Sequence, residues 1–208
     1  MYTHDKQIVT AGLALAEAKK AVIFLHGRGA SAEDILELGK YFNLEDAGLF
    51  APQATNSSWY PYSFMVPVAQ NQPALDSALA VINDLVKDIL AAGIPATEIY
   101  FAGFSQGACL TLEYVTRNAQ RYGGVVAFTG GLIGQEINLN NYKGDFKKTP
   151  VLISTGDPDP HVPLRRIEMT EGILKKMNAE VTLKIFSGKA HTISPKEIEL
   201  AKTLVFNS

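Results

Sequence analysis

Apolar residues follow two rhythms along this chain: short unbroken runs, and longer segments in which they recur every three or four positions. Unbroken runs stand at residues 22–25, 49–51, 99–103, 125–128, 151–155 and 181–186. Runs of this length, with little alternation, predict strands buried on both faces. Helical spacing fills much of the space between them. Ser31, with Asp34 three residues on, predicts a capped helix through about Lys40. The segment 72–92 places Leu75, Leu79, Ile82, Leu85, Val86 and Ile89 on one stripe and meets a stop at Gly93. Further helices are predicted over 106–118, 164–177 and 195–206. This alternation predicts an α/β chain with a mostly parallel central sheet and helices on both faces. Two long connections, 53–71 and 130–149, show no regular period. Neither is long enough for a separate cap domain, and no repeat or linker divides the chain, so one domain over 1–208 is expected. Ligands in such sheets bind outside the carboxyl ends of the strands.

Composition narrows the function classes. The net charge of −2 gives no footprint for nucleic acid, and the pairs Lys147-Lys148 and Lys175-Lys176 are too short to form a basic patch. No stretch of about 18 apolar residues is present, so no membrane span is expected. The first ten residues include His4, Asp5 and Lys6 and lack the apolar core of a secretory signal. The single cysteine, Cys109, rules out an internal disulfide and points toward a cytoplasmic protein. It stands one helical turn after Ser105, where a small buried hydrophobe is expected rather than a second nucleophile.

The run at 99–103 leads into Gly103-Phe104-Ser105-Gln106-Gly107, and helical spacing begins at once. Strand, Gly-x-Ser-x-Gly and helix together are the pattern of a nucleophile elbow. Such a turn holds its serine in a strained backbone conformation with Oγ exposed. Glycine at 103 and 107 avoids a Cβ clash, and the amide of Gln106 points toward the place where an oxyanion forms. A plain strand-to-helix turn with a solvated serine is the bland alternative. At the end of the first run, Leu25-His26-Gly27-Arg28-Gly29-Ala30 can supply a second oxyanion amide, Arg28 first and Gly29 second. His26 is expected to hold that loop rather than to act as a base. After the run at 151–155, Asp157 and Asp159 compete as the acid of a triad. The spacing Gly-x-x-Asp-x-x-Val favours Asp159, with Asp157 shaping the turn, although the turn chemistry suits both. Among the four histidines, His4 is on a terminus expected to be mobile, His26 precedes the serine, and His161 shares the short turn of Asp159. His191 has a strand end of its own and completes the order Ser…Asp…His. As general base it would take the Ser105 proton, with Asp159 fixing its tautomer.

Leu-His-Gly-x-Gly, Gly-Phe-Ser-Gln-Gly-Ala, Gly-Asp-x-Asp-Pro-x-Val-Pro and the late Ala-His-Thr, taken as a set, resemble the phospholipase/carboxylesterase family. These are compact α/β-hydrolases that include acyl-protein thioesterases and small bacterial carboxylesterases. The likeness runs from about Val22 to the C-terminus. It implies an α/β-hydrolase fold, the triad Ser105, Asp159 and His191, and oxyanion amides on Arg28 and Gln106. The chain departs from the thioesterases in one loop: Arg28 replaces an apolar residue, usually leucine, and Ala30 an acidic one.

These readings converge on a serine carboxylesterase working without metal or cofactor on a small-molecule ester. A thioesterase or lysophospholipase activity is an alternative. So is a dienelactone-hydrolase-like ring opener, which would normally want a cysteine at the elbow, and so is a non-catalytic binding protein, which has no need of a complete triad. A homodimer is compatible with the sequence. The aromatic stretch 53–71, with Trp59, Tyr60, Tyr62, Phe64 and Met65, is expected to shape substrate choice in a shallow, open cleft, together with 130–149. Trp59 and Arg28 are the expected substrate-contacting residues. The Arg28 side chain either turns over the cleft, where it would disfavour long alkyl tails, or points to solvent.

Overall fold

The computed structural model describes residues 2–206, and its centre is a seven-stranded sheet in the order β1-β3-β2-β4-β5-β6-β7. The strands are β1 (Ile8–Gly12), β2 (Lys20–Leu25), β3 (Ala47–Pro52), β4 (Ile99–Phe104), β5 (Gly124–Phe128), β6 (Pro150–Asp157) and β7 (Glu180–Ser187). All neighbours pair parallel except β1, which runs antiparallel to β3 with Ile8 opposite Pro52. β1 is the one strand that hydrophobic patterning does not predict. It lies at the sheet edge with only Ile8 and Val9 half-buried, so it carries no apolar run.

The parallel strands sort their side chains by parity, as a sheet covered on both faces requires. Ala21, Ile23, Leu25, Ile99, Phe101, Val125 and Ala127 face one core. That core is closed by α3 (Ala74–Ala91), α4 (Gln106–Arg117) and α5 (Leu164–Lys176). Val22, Phe24, Tyr100, Ala102, Val126 and Phe128 face the other, closed by α1 (Ala32–Leu36), α6 (Pro195–Ala201) and the C-terminal turn. The remaining helix, α2 (Val68–Asn71), is a single turn before α3. Ser31 forms the expected capping box with Asp34, but the α-helix stops at Leu36 and continues as a tighter 3₁₀ turn over Glu37–Tyr41. The sheet is thus mixed but mostly parallel, flanked by helices on both faces, with no separate cap domain.

The terminus around His4 is not loose. The His4 ring is buried, donates from Nε2 to the Trp59 carbonyl at 3.0 Å and accepts the Thr55 amide on Nδ1 at 3.0 Å. Burial among Trp59 and Tyr2 outweighs the entropy of a free end.

Candidate active site

Steric necessity shapes the turn between β4 and α4. Ser105 sits at φ 54°, ψ −116°, a region that non-glycine residues avoid, and its amide donates to the Phe128 carbonyl at 2.9 Å. A Cβ on Gly103 would lie 2.5 Å from the Gly107 carbonyl oxygen, and one on Gly107 would collide with the carbonyl of Leu25. Only glycine lets the helix pass that close to the strand end. The conformation lifts the Ser105 side chain into a cleft above the carboxyl ends of β2 and β4.

His191 Nε2 is 2.8 Å from Ser105 Oγ, and His191 Nδ1 is 2.8 Å from Asp159 Oδ2. The other carboxylate oxygen, Oδ1, accepts the amides of His161 and Val162, each at 2.9 Å. Burial alone would raise the Asp159 pKa; the hydrogen bonds from His191 and from the two amides prevail and hold it below the ordinary carboxylate value. An ionised Asp159 takes the Nδ1 proton as its donor, which leaves Nε2 bare to accept from the serine hydroxyl. Asp157 lies on the exposed shoulder of the same turn, and its carbonyl accepts the Gly188 amide at 2.9 Å. The structure therefore brings Ser105, His191 and Asp159 together and leaves the Asp157 side chain outside.

The loop that carries His191 is braced from behind. Lys189 Nζ donates to the carbonyls on either side of the histidine, Thr192 at 2.6 Å and Ala190 at 3.3 Å, and lies 3.3 Å from Glu197. Glu197 is fully buried and accepts from Ser154 Oγ of β6 and from Ser194. Sequence reading missed this brace. The Ser194-x-x-Glu197 spacing of a capping box was its visible trace, but nothing in the pattern tied it to Lys189.

On the opposite side, the amide of Gly29 is engaged by the Ser57 carbonyl at 2.7 Å, whereas no acceptor for the Arg28 amide is found among the described residues. Arg28 is thus the better-placed of the two amides considered for that loop. Gln106 supplies the first amide of α4, where helix N–H groups have no partner within the helix. Its side chain accepts from the Trp59 amide at 2.9 Å and donates to the Tyr60 carbonyl at 2.8 Å. His26 is fully buried: Nδ1 donates to the Gly27 carbonyl at 2.8 Å and Nε2 accepts the Ala54 amide at 3.1 Å. It holds the loop, as expected.

Two expectations about the cleft need correction. Trp59 does not line it. The ring is fully buried against His26, 4.9 Å between centroids, and its Nε1 donates to the His26 carbonyl at 2.9 Å. Burying so large a ring with its one polar atom satisfied is worth more to the loop than presenting it to a ligand. The residues of that loop that reach the cleft are Tyr60 to Phe64. Nor does the connection 130–149 contribute to the lining; Arg166 ties it down through the carbonyls of Leu132, Gly134 and Gln135. The Arg28 side chain stays at the cleft, the first of the two courses considered. It is exposed there, yet its head is clamped to Ser58 Oγ at 2.8 Å, the Pro61 carbonyl at 3.0 Å and the Tyr62 carbonyl at 2.7 Å. Cys109 lies at the cleft floor, where burial pushes its thiol pKa up to about 12 and keeps it protonated. The cleft measures about 590 Å³ and is open to solvent.

A mostly parallel sheet with a strained serine at the strand-to-helix turn, and a histidine and an aspartate on later strand ends, defines an α/β-hydrolase-like protein. The chain belongs to the phospholipase/carboxylesterase family, whose profile matches residues 8–206. Membership brings esterase-type hydrolytic activity on carboxylic esters. It is similar to the crystal structure of a phospholipase/carboxylesterase from Dyadobacter fermentans DSM 18053, 62% identical over 99% of this chain and 98% of that one, with a TM-score of 0.97. Among curated proteins it is 27% identical to a probable carboxylesterase of Oryza sativa subsp. japonica, over 97% of this chain and 83% of that protein. It is 29% identical to acyl-protein thioesterase 1 of Saccharomyces cerevisiae, over 88% and 89%. No helix among the described residues is long and apolar enough to cross a membrane.

Proposed function

We propose that this chain hydrolyses small carboxylic esters with short acyl groups through a Ser105–His191–Asp159 triad and an acyl-enzyme. The observation that carries the reading is the continuous chain of contacts, 2.8 Å from Ser105 Oγ to His191 Nε2 and 2.8 Å from His191 Nδ1 to Asp159. Ser105 Oγ attacks the ester carbonyl as His191 takes its proton, and Asp159 stabilises the imidazolium so formed. The carbonyl oxygen gains charge as the tetrahedral centre forms and is held by the amides of Arg28 and Gln106. His191 then returns the proton to the leaving alcohol, and water, deprotonated by the same imidazole, releases the acid. Short acyl groups are favoured because a charged guanidinium on the cleft wall disfavours a long alkyl tail packed against it.

A fluorophosphonate probe tests the mechanism, and aryl esters from acetyl to decanoyl test the chain length. The reading predicts stoichiometric labelling at Ser105, a burst of aryl alcohol when deacylation is slow, and kcat/KM falling as the chain lengthens. An unlabelled Ser105 would remove the mechanism. A maximum at long chains would instead favour the second reading, a thioesterase or lysophospholipase activity, which the similarity to acyl-protein thioesterases supports.

A further inference from the structure

The guanidinium of Arg28 is a strong charge in the cleft wall that takes no part in the proposed bond-making and bond-breaking steps. Its Nη1 donates to Ser58 Oγ and the Pro61 carbonyl, and its Nη2 to the Tyr62 carbonyl. All three acceptors are neutral, and Arg28 makes no ion pair among the described residues. A guanidinium carries five N–H donors, so Nε and one hydrogen on Nη2 remain without an acceptor among the described residues. The head is also fixed: three bonds to residues 58–62 hold it beside the Tyr60 ring, 6.0 Å from its centroid. A cation already immobilised loses little entropy when it binds an anion.

The surroundings have the matching polarity. None of the residues lining the cleft is Asp or Glu. Asp159 lies close behind it, but its side chain is buried and spent on His191 and two amides. A chain of net charge −2 therefore opens onto Ser105 through a cleft with a positive wall.

We propose that Arg28 forms an anion subsite, and that the substrate is a half-ester of a short dicarboxylic acid, its free carboxylate held on the guanidinium. The inference rests on the esterase reading above and adds the chemical class of the substrate. The planar fork of arginine matches a carboxylate. The side of the ester follows from the two walls. The leaving alcohol must lie within reach of His191 Nε2, whose ring neighbours are Phe104 and His161. Arg28 makes its contacts with residues 58–62 instead, so the carboxylate belongs to the acyl portion.

The test compares kcat/KM for monomethyl glutarate with that for methyl 5-methylhexanoate, in which an isopropyl group replaces the carboxylate. O-acetylglycolate and isobutyl acetate form the same comparison on the alcohol side. Both pairs are followed by pH-stat in the wild-type protein and in Arg28→Gln. The glutarate half-ester should be preferred by about tenfold, the lower range for charge-assisted hydrogen bonds. That preference should shrink toward one in Arg28→Gln and in the wild type at about 0.5 M salt. Ratios taken within one protein cancel any loss common to both esters if the variant loosens the loop. The salt series needs no variant at all. A wild-type ratio at or below one, a ratio insensitive to Arg28→Gln, or a preference confined to the alcohol side would each overturn the subsite. Turnover of the neutral ester without anion preference defeats this inference alone. Absence of turnover with every ester, together with an unlabelled Ser105, defeats the esterase mechanism beneath it.

Discussion

The two walls of the cleft are held by opposite kinds of interaction. The wall of Arg28 and residues 54–62 rests mainly on neutral groups: two buried histidine rings accept the consecutive amides of Ala54 and Thr55, and the Gln106 carboxamide bridges Trp59 and Tyr60. The wall of Asp159 and His191 rests on charge, with one carboxylate against the imidazole and a Lys189–Glu197 pair behind the loop. The difference matches what each wall is proposed to do. An oxyanion needs rigid amide donors and no anion beside them, which neutral bonding supplies. An imidazole that becomes cationic needs a fixed negative charge next to it. The position in the sheet adds to the contrast. β2 and β3, which lead into the first wall, are interior strands, whereas β7, which leads to His191, is an edge strand with alternating exposure, and the loop after it is tied to β6 and α6 by Lys189, Glu197 and Ser154.

The largest effect expected is at the point where both walls converge. Ser105→Ala should lower kcat for an aryl ester by roughly five to six orders of magnitude, with an unchanged circular dichroism spectrum. His191→Ala should lose nearly as much, and the double variant little more, because the two act as a unit. Substantial turnover by Ser105→Ala would mean that neither wall has been assigned correctly.

The charged wall is tested next by its two carboxylates. Asp159→Asn should lower kcat by about 10⁴-fold through loss of tautomer control and of imidazolium stabilisation. Asp157→Asn should change kcat by no more than a few-fold, since that side chain is exposed and it is the main-chain carbonyl of the residue that holds the Gly188 amide. The reverse ranking would move the acid by two residues.

How far sequence reached also differed between the walls. The charged wall was readable because its chemistry restricts residue types: a histidine and a carboxylate had to stand at separate strand ends after the serine, and few residues qualified. The Gly-x-x-Asp-x-x-Val spacing works for a physical reason, since it lets one carboxylate oxygen cap the amides of His161 and Val162 while the other faces His191. The neutral wall was legible only in its backbone. No pattern distinguishes a tryptophan packed beneath a loop from one that greets a ligand, so Trp59 was expected in the cleft. Nor did anything mark the Arg28 head as a clamp, because its acceptors are a hydroxyl and two main-chain carbonyls some 30 residues away. β1 escaped for a different reason: an edge strand buries too little to leave a run of apolar residues.

The neutral wall is tested more gently by Gln106→Ala. The backbone amide stays, but the buried Trp59 amide loses its acceptor and the Tyr60 carbonyl one of its two donors, the other being Ser58 Oγ. An orphaned buried amide costs about 1–3 kcal/mol, so the midpoint of urea unfolding should fall. If the carboxamide also keeps the amide donors in register, kcat should drop roughly ten- to a hundredfold with KM changing less, as lost transition-state stabilisation requires. Gln106→Glu restores the acceptor for Trp59 but sets a buried carboxylate against the Tyr60 carbonyl and beside the oxyanion amides, so it should recover none of the lost kcat. A variant with lowered stability and unchanged kcat would show that Gln106 holds the loop without tuning the oxyanion donors.

The smallest effect separates the walls by pH. Burial pushes the pKa of both His4 and His26 below the ordinary histidine value of 6.5. In each ring one nitrogen accepts a backbone amide, so protonation would set two donors against each other. The unfolded chain has no such constraint and takes up protons as the pH falls below about 6.5, while the folded protein stays neutral there. Their contribution is therefore complete above the unfolded value and declines as the pH falls toward the folded values, by at most about 1.4 kcal/mol per pH unit for each ring. Asp159 behaves differently. Its pKa is lowered in the folded state, so its contribution persists through this range and is lost only as the pH falls through and below the carboxylate region. The neutral wall should thus weaken first in mild acid. The melting temperature should decline between pH 7.5 and pH 5, and the decline should be shallower in His4→Gln, whose carboxamide can still accept from Thr55 and donate to the Trp59 carbonyl without titrating. Parallel pH profiles for the two proteins would show that His4 does not titrate with unfolding, and would remove acid sensitivity from the contrast between the walls.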